Sequence, residues 1–350
     1  MLSGSRLAID RALEGFLARA HDELTTIDSE LTPISSALGE FLAGGKRLRP
    51  LFVVAGYIGA GGSPDDGAIY SAAASVELLQ ACALIHDDMM DGSDTRRGAP
   101  SMHRRFERSH RERHGIGNSE NFGTATALLI GDLALVWSTQ ALNLAGLSAA
   151  RLQAVNPIFD IMRVELMAGQ YLDMHGSSRD AMSIDDALKI ATYKSGKYTI
   201  ERPLHFGAAL SGAGDEFLPI YTEYGIPLGI AFQMRDDLLG VFGDSSVTGK
   251  PAGDDLIEGK RTALIAYAQQ NLATNELNEF AKLFGQKNLT LDGIDTLRAL
   301  IQRSGAVDFI EKLIKEKTIL ALEAINDPKI SHSGRELLSE LAIKATQRSA

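Results

Sequence analysis

The sequence predicts an all-α protein folded as a single domain of ten or more helices. Three observations carry this expectation: apolar residues recur with helical periodicity along most of the chain, strand signals are nearly absent, and no loop is long enough to link two domains. Residues 69–90 are rich in Ala, Leu and Glu and hold no Gly or Pro and few β-branched side chains, so their local preference is helix. The same holds around residues 125–145, over 156–172, and over the segment that opens DEFLPIYTEYG and runs to Phe242. Ser183 followed by Asp185 and Asp186 reads as a helix start, with the hydroxyl capping free amides and the carboxylates at the positive end of the helix dipole. Loops are marked by GAGGSPDDG (59–67), GSDTRRGAPS (92–101), GDSSVTGKPAGDD (243–255) and NDPKISHSG (326–334). There is no fixed-period repeat and no low-complexity tract.

Composition narrows the function classes. A chain of 350 residues with 45% apolar content has ample material for a sizeable core. Its net charge of -10 argues against general nucleic-acid binding, so any phosphate recognition should be local. The single Cys82 excludes an intrachain disulfide and fits a reducing interior. The N-terminal segment lacks the unbroken apolar run of a signal peptide, and a cytoplasmic location is expected. The strongest candidate for a membrane span, ATALLIGDLALVW, falls short of the roughly 20 apolar residues required and carries Asp132 in its middle, so no span is expected.

The chemistry concentrates first in IHDDMMDGSDTRRG (85–98), where Asp87, Asp88 and Asp91 follow an apolar run and Arg96 and Arg97 stand directly behind. On a helix Asp87 and Asp91 lie one turn apart on the same face, and Asp88 points about 100° away. Like charges at that spacing oppose each other, so a helix that keeps both ionised is expected to hold a cation between them. Oxygen-only ligands select hard ions, and Mg²⁺ takes one or two carboxylates and completes its octahedron with water and phosphate oxygens. Arg96 and Arg97 can supply the phosphate contact, so that Mg²⁺ and the arginines would jointly grip a polyanion such as a diphosphate. Taken alone, the same residues also describe a solvated acidic helix end balanced by arginines.

A second acidic cluster alters that balance. In FQMRDDLLGVFGDSSVTGKPAGDDLIEGKRT (232–262), Asp236 and Asp237 again follow an apolar helical stretch and could face the first pair across a cavity. Lys250, Asp255 and Lys260 follow on a Gly-rich loop able to approach a bound anion closely. A nucleotide-binding loop is excluded by spacing: GDSSVTGKP has five residues between its glycines and Pro251 where Ser or Thr should stand, and GDDLIEGKR has Arg261 there. GGKRLRP (44–50) offers Lys46 and Arg49 behind two glycines, and YKSGKYTIERP (193–203) sets Lys194 and Ser195 on a helix. Singly, these would be a polar surface turn and a solvated lysine.

Together and in order, from about residue 40 to 265, these segments resemble the trans-isoprenyl diphosphate synthases of the polyprenyl synthetase family, most closely its bacterial geranylgeranyl diphosphate synthases. The resemblance implies the isoprenoid synthase fold, one domain over residues 1–350 with helices around a central cavity, and a homodimer. It also implies Mg²⁺, with three ions per active site once substrate is bound. DDMMD resembles the first aspartate-rich motif, with Asp87 and Asp91 as Mg²⁺ ligands and Asp88 beside them. GGKRLRP resembles the isopentenyl diphosphate site, which Lys46 and Arg49 would form with Gln80 and Arg97; Gln80 lies two helical turns before Asp87, on nearly the same face. Arg96, Lys194, Lys250 and Lys260 resemble residues that hold the allylic diphosphate. FQMRDD resembles the second motif, with Asp236 as ligand of a further Mg²⁺, and Ser195 and Gln233 fall where the family faces dipoles toward a developing carbocation. One position departs: the family's second motif often ends in a third aspartate, and here Gly240 stands in its place. That metal site would then rely on Asp236, Asp237, water, or more distant acids such as Asp255, with Asp244 a weaker substitute.

The implied reaction joins isopentenyl diphosphate to a C5, C10 or C15 allylic diphosphate by ionisation, condensation and proton loss. Ionisation requires that the departing charge be stabilised more in the transition state than in the bound substrate, and that water be kept from the cation. Each isoprene unit is about as long as the 5.4 Å pitch of a helix, so residues one or more turns before Asp87 would line successive depths of a tail channel. Cys82 and Ala83 are both small there, and a C20 product is expected. The alternative within the family is a farnesyl or longer-chain polyprenyl diphosphate synthase, and two rivals lie outside it. A terpene cyclase shares the helical fold and first motif, but GGKRLRP and FQMRDD oppose it; a non-catalytic regulatory subunit finds support only in Gly240.

Overall fold

In the computed structural model, residues 1–179, 181–243 and 253–347 are described. Four helices open the chain: α1 (Leu2–Ile27), α2 (Thr32–Leu42), α3 (Leu48–Gly59) and α4 (Gly67–Asp91). The Gly- and Pro-free run thus forms the helix its composition favours. Asp66 caps its start by accepting from the Ala68 amide, and Gly92, at φ 68°, ends it directly after Asp91. A two-residue hairpin follows, pairing Arg96 with Ala99 around Arg97 and Gly98. Those two residues have φ of 53° and 77°, which marks a type I′ turn and gives opposite directions to the adjacent arginines.

Next come α5 (Met102–Glu112), α6 (Ser119–Asn143), α7 (Ala149–Ser177) and α8 (Ile184–Ala191), the last capped by Ser183, whose hydroxyl accepts from the Asp186 amide. Then the chain departs from the sequence expectation. Residues Thr192–Glu201, which carry Lys194 and Ser195, form a π-helical segment between α8 and α9 (Arg202–Ser211). Two glycines explain how this wide turn is held. A Cβ on Gly169 of α7 would collide with the Lys194 backbone, and one on Gly229 would collide with the Gly196 backbone. Gly229 lies on α10 (Gly214–Phe242), so α7 and α10 grip the segment by direct backbone approach.

Among the described residues the remaining helices are α11 (Asp254–Glu258), α12 (Ala263–Asn271), α13 (Thr274–Leu283), α14 (Leu291–Arg303), α15 (Ala306–Ala324) and α16 (His332–Thr346). Two hydrophobic clusters fill the interior, and α10 belongs to both: Leu228 and Phe232 pack in the first, Ile230, Ala231 and Met234 in the second. A helix apolar on most of its circumference is a buried central helix. It therefore presents the second acidic motif at a fixed height in the fold. By length and composition α4 and α6 could each cross a membrane; in the fold 67% and 50% of their most apolar windows are buried.

His205 on α9 reports on this packing. Arg202 donates to its Nδ1 at 3.1 Å, and its Nε2 lies 3.0 Å from the Leu218 carbonyl. Burial pushes its pKa down to about 4 from 6.5, with Glu201 opposing and Arg202 and Lys197 reinforcing. Between those values the unfolded chain binds the extra proton, so this contribution to stability is complete above pH 6.5 and is lost as pH falls toward 4. Urea unfolding across that window should lose up to about 3 kcal/mol from this group, and His205→Gln should flatten the slope.

Candidate active site

Both acidic motifs end long helices. Asp87, Asp88 and Asp91 occupy the last turns of α4, and Asp236 and Asp237 those of α10. Carboxylates at a helix C-terminus add to the negative end of the dipole, so each motif needs cations. The protein supplies several. Lys194 Nζ donates to Asp87 Oδ1 at 3.3 Å and to Asp173 Oδ2 at 2.6 Å, and Gln170 on α7 donates to Asp87 Oδ1 at 2.8 Å. Lys260 Nζ lies 3.1 Å from Asp91, 2.8 Å from Glu258 and 3.8 Å from Asp255. Arg96 Nε donates to both oxygens of fully buried Asp88 at 2.8 Å, and its Nη2 stands 3.6 Å from Asp87. Asp88 is thus placed as the anchor of Arg96, beside the Asp87–Asp91 pair.

The charges follow this arrangement. Burial by itself would raise the Asp87 pKa, but Lys194, Lys260 and Arg96 outweigh it and hold it to about 2. Asp91 moves the other way: burial raises it, with the Asp87 and Glu258 carboxylates adding, and Lys260 does not fully offset them. Lys194 and Lys260 stay protonated despite burial because Asp87 and Asp173 surround the first, and Asp255, Asp91 and Glu258 the second.

On the facing wall, Ser195 Oγ donates a short hydrogen bond to Gln233 Oε1, and Gln233 Nε2 donates to Asp237 Oδ1 at 2.7 Å. Burial pushes the Asp237 carboxyl well above its usual range, and Asp255, Asp236 and Asp173 add to this while Gln233 opposes it. Asp236 is half-buried beside it. Lys260 spans from Asp91 to Asp255 of α11, and Lys194 from Asp87 to Asp173 of α7. Both of these acids act on Asp237, so the lysines reach the α10 wall through them. Among the described residues, no three His, Cys, Asp or Glu side chains close into a ready-made metal cage. An oxygen-only donor set split over two walls fits an ion that keeps water and phosphate oxygens in its shell, which is the habit of Mg²⁺.

A basic surface adjoins the walls. Arg49 donates to Thr199 Oγ1 at 2.8 Å and stacks 4.5 Å over the Tyr198 ring, while its buried Nε has no hydrogen-bond partner. Tyr198 in turn donates to Gln80 Oε1 at 2.8 Å. Burial lowers the Arg97 pKa, and the neighbouring Arg96, Arg47 and Arg49 lower it further against Glu77. Clustered guanidinium groups with an unpartnered N–H suit an anion. Lys46 is exposed on the loop before α3. Lys250 lies outside the described residues. Cys82 is buried in the main hydrophobic cluster with its Sγ 3.8 Å from His86 Nδ1, and Ala83 packs against that cluster partly buried.

Several residues of the site escaped the sequence reading. Arg47, at φ 54°, is buried and donates to Asp10 at 2.7 Å, Glu77 at 3.0 Å and the Leu42 carbonyl at 2.7 Å, tying down the loop between Lys46 and Arg49. Gln170, Asp173 and Glu258 complete the lysine and Asp87 contacts. The signal for the first two was present in MAGQYLDM, where two polar residues three apart interrupt an apolar helix.

Comparison with known proteins shows the family. The model of the polyprenyl synthetase family matches residues 32–301. A geranylfarnesyl diphosphate synthase of Aeropyrum pernix is 30% identical over 96% of this chain and 97% of its own length. A geranylgeranyl diphosphate synthase of Saccharolobus solfataricus is 31% identical over 85% of this chain and 84% of its own. Among solved structures, geranylgeranyl pyrophosphate synthase from Corynebacterium glutamicum, complexed with isoprenyl diphosphate and magnesium, superposes with a TM-score of 0.94 at 39% identity, covering 99% of this chain and 98% of that one. With a matching family model over most of its length and relatives that align nearly end to end, the chain belongs to the polyprenyl synthetase family.

Proposed function

We propose that the protein is a Mg²⁺-dependent prenyltransferase that condenses isopentenyl diphosphate with an allylic diphosphate and makes geranylgeranyl diphosphate. The observation that carries this is that Lys194 and Lys260 join the α4 carboxylates to Asp173 and Asp255, which act in turn on Asp237 of α10, beside a cluster of arginines. Asp87 and Asp91 would hold Mg²⁺ on one wall, and Asp236, Asp237 and Asp255 on the other. Bound there, the metal neutralises charge on the departing diphosphate. Three ions per site accord with two walls sharing one polyanion.

The chain's own groups then have distinct tasks. Lys194, Lys260 and Arg96, with Lys250, stabilise the leaving diphosphate. Ser195 and Gln233, joined by their hydrogen bond and oriented through Asp237, turn oxygen dipoles toward the allylic cation. Lys46, Arg49, Gln80 and Arg97 hold isopentenyl diphosphate so that its double bond attacks that cation, and the proton lost goes to the released diphosphate. No side chain acts as a nucleophile. The test is chromatography of products made from labelled isopentenyl diphosphate with C5, C10 and C15 starters and Mg²⁺. Elongated chains are expected; cyclised hydrocarbon formed without isopentenyl diphosphate, or no product, would overturn the proposal.

Product length rests on α4. Ala83 lies one turn before Asp87, and Ala83→Phe is expected to shift the main product from C20 to C15. An unchanged product spectrum would remove this residue from the determinants. We further propose a homodimer. Phe122, Leu129 and Val136 recur every seven residues along α6, Val164, Met167, Tyr171 and Met174 follow at three- and four-residue steps along α7, and all are exposed. A single domain over residues 1–350 and a cytoplasmic location complete the proposal, the latter supported by one buried thiol.

A further inference from the structure

Gly240 lies one turn beyond Asp236 on α10, where the family's second motif often carries another aspartate. A Cβ built on it would collide with Cγ and Oδ2 of Asp255, and Oδ1 would lie 3.0 Å away. The Asp255 carboxylate therefore fills the space that a side chain at position 240 would take. We propose that Gly240 is a positioning residue, which by carrying no Cβ admits the Asp255 carboxylate to the second acidic wall, so that α11 supplies the carboxylate that α10 lacks.

The backbone behind Asp255 cannot easily yield to a larger residue at 240. Leu256 is fully buried, its carbonyl accepts from the Gly285 amide at 2.9 Å, and the Asp255 carbonyl accepts from the Lys260 amide at 2.9 Å. Gly253, which starts α11 at φ 71°, is closed in by Ile294, with a Cβ there only 2.8 Å from its Cγ2. Only the short side chain of Asp255 is left to move, and its carboxylate also stands 3.8 Å from Lys260. The inference rests on the prenyltransfer reading for what the carboxylate does, and on geometry alone for the coupling of 240 to 255. It has an unexpected consequence: inserting the aspartate common in the family should harm this protein.

Calorimetric titration of Mg²⁺ in the presence of inorganic pyrophosphate tests it without turnover. Gly240→Ala and Asp255→Asn should each weaken Mg²⁺-dependent binding by about tenfold or more, and the double variant should be no worse than either single one. Gly240→Asp should also be weak, whereas Gly240→Asp combined with Asp255→Gly, which moves the carboxylate back to α10, should recover most of the affinity. Binding by Gly240→Ala within twofold of wild type, or additive losses in the double variant, would overturn the role of Gly240. Should Gly240→Ala fail to fold, Gly240→Ala with Asp255→Gly folds if the collision is the cause and stays unfolded if it is not. Wild type that binds no Mg²⁺ with pyrophosphate would overturn the prenyltransfer reading and the metal part of this proposal with it, while wild type that binds as its variants do overturns this proposal alone.

Discussion

Asp87→Asn is expected to lower kcat for chain elongation by about 10²–10³-fold, the scale seen when one preorganised electrostatic contact to a developing charge is removed. The amide nearly matches the carboxylate in shape, so the fold should persist. What changes is charge: Lys194, Lys260 and Arg96 all act on Asp87, and it is their combined field that holds its carboxyl at about pKa 2. With Asn in place, the site loses an anionic ligand and Lys194 retains Asp173 as its close partner. Steady-state kinetics should show KM for isopentenyl diphosphate nearly unchanged, because Lys46, Arg49 and Arg97 are untouched. Full activity in the purified, folded variant would remove Asp87 from the mechanism.

Arg47→Met should cost about 3–5 kcal/mol of stability, because it leaves Glu77 as an uncompensated buried charge. Both side chains are almost inaccessible, at 5% and 8% exposure, so solvent screening contributes little. Desolvation opposes the charged form of Arg47, and Glu77 and Asp10 more than restore it. Removing both partners should be milder than removing one, so Arg47→Met with Glu77→Gln should regain part of the loss in urea melts. The single variant should also raise KM for isopentenyl diphosphate, since Arg47 anchors the turn between Lys46 and Arg49. Melting equal to wild type would show that the buried pair contributes nothing net.

The parts of the site legible in the sequence are those governed by one helix. The 3.6-residue period placed Asp87 and Asp91 on one face and Gln80 two turns back, Gly92 ended α4 where a left-handed residue was needed, and Ser183 capped α8. These follow from contacts within a few residues. The same period did not disclose which face of α4 is core, because that helix is apolar on most sides; the fold packs Cys82 in the main cluster and Ala83 against it.

By itself, then, the sequence determined the helical class, the two acidic helix ends and the family, because periodicity, capping and motif order are encoded locally. Tertiary structure decided the rest: the π-helical turn that carries Lys194, the hold of Asp10 and Glu77 on Arg47, the contacts of Gln170 and Asp173, and the seating of Asp255 against Gly240. Each of these joins residues far apart in the chain through backbone approach or buried charge pairing. Such energies exist only once helices have packed, and no local pattern encodes them.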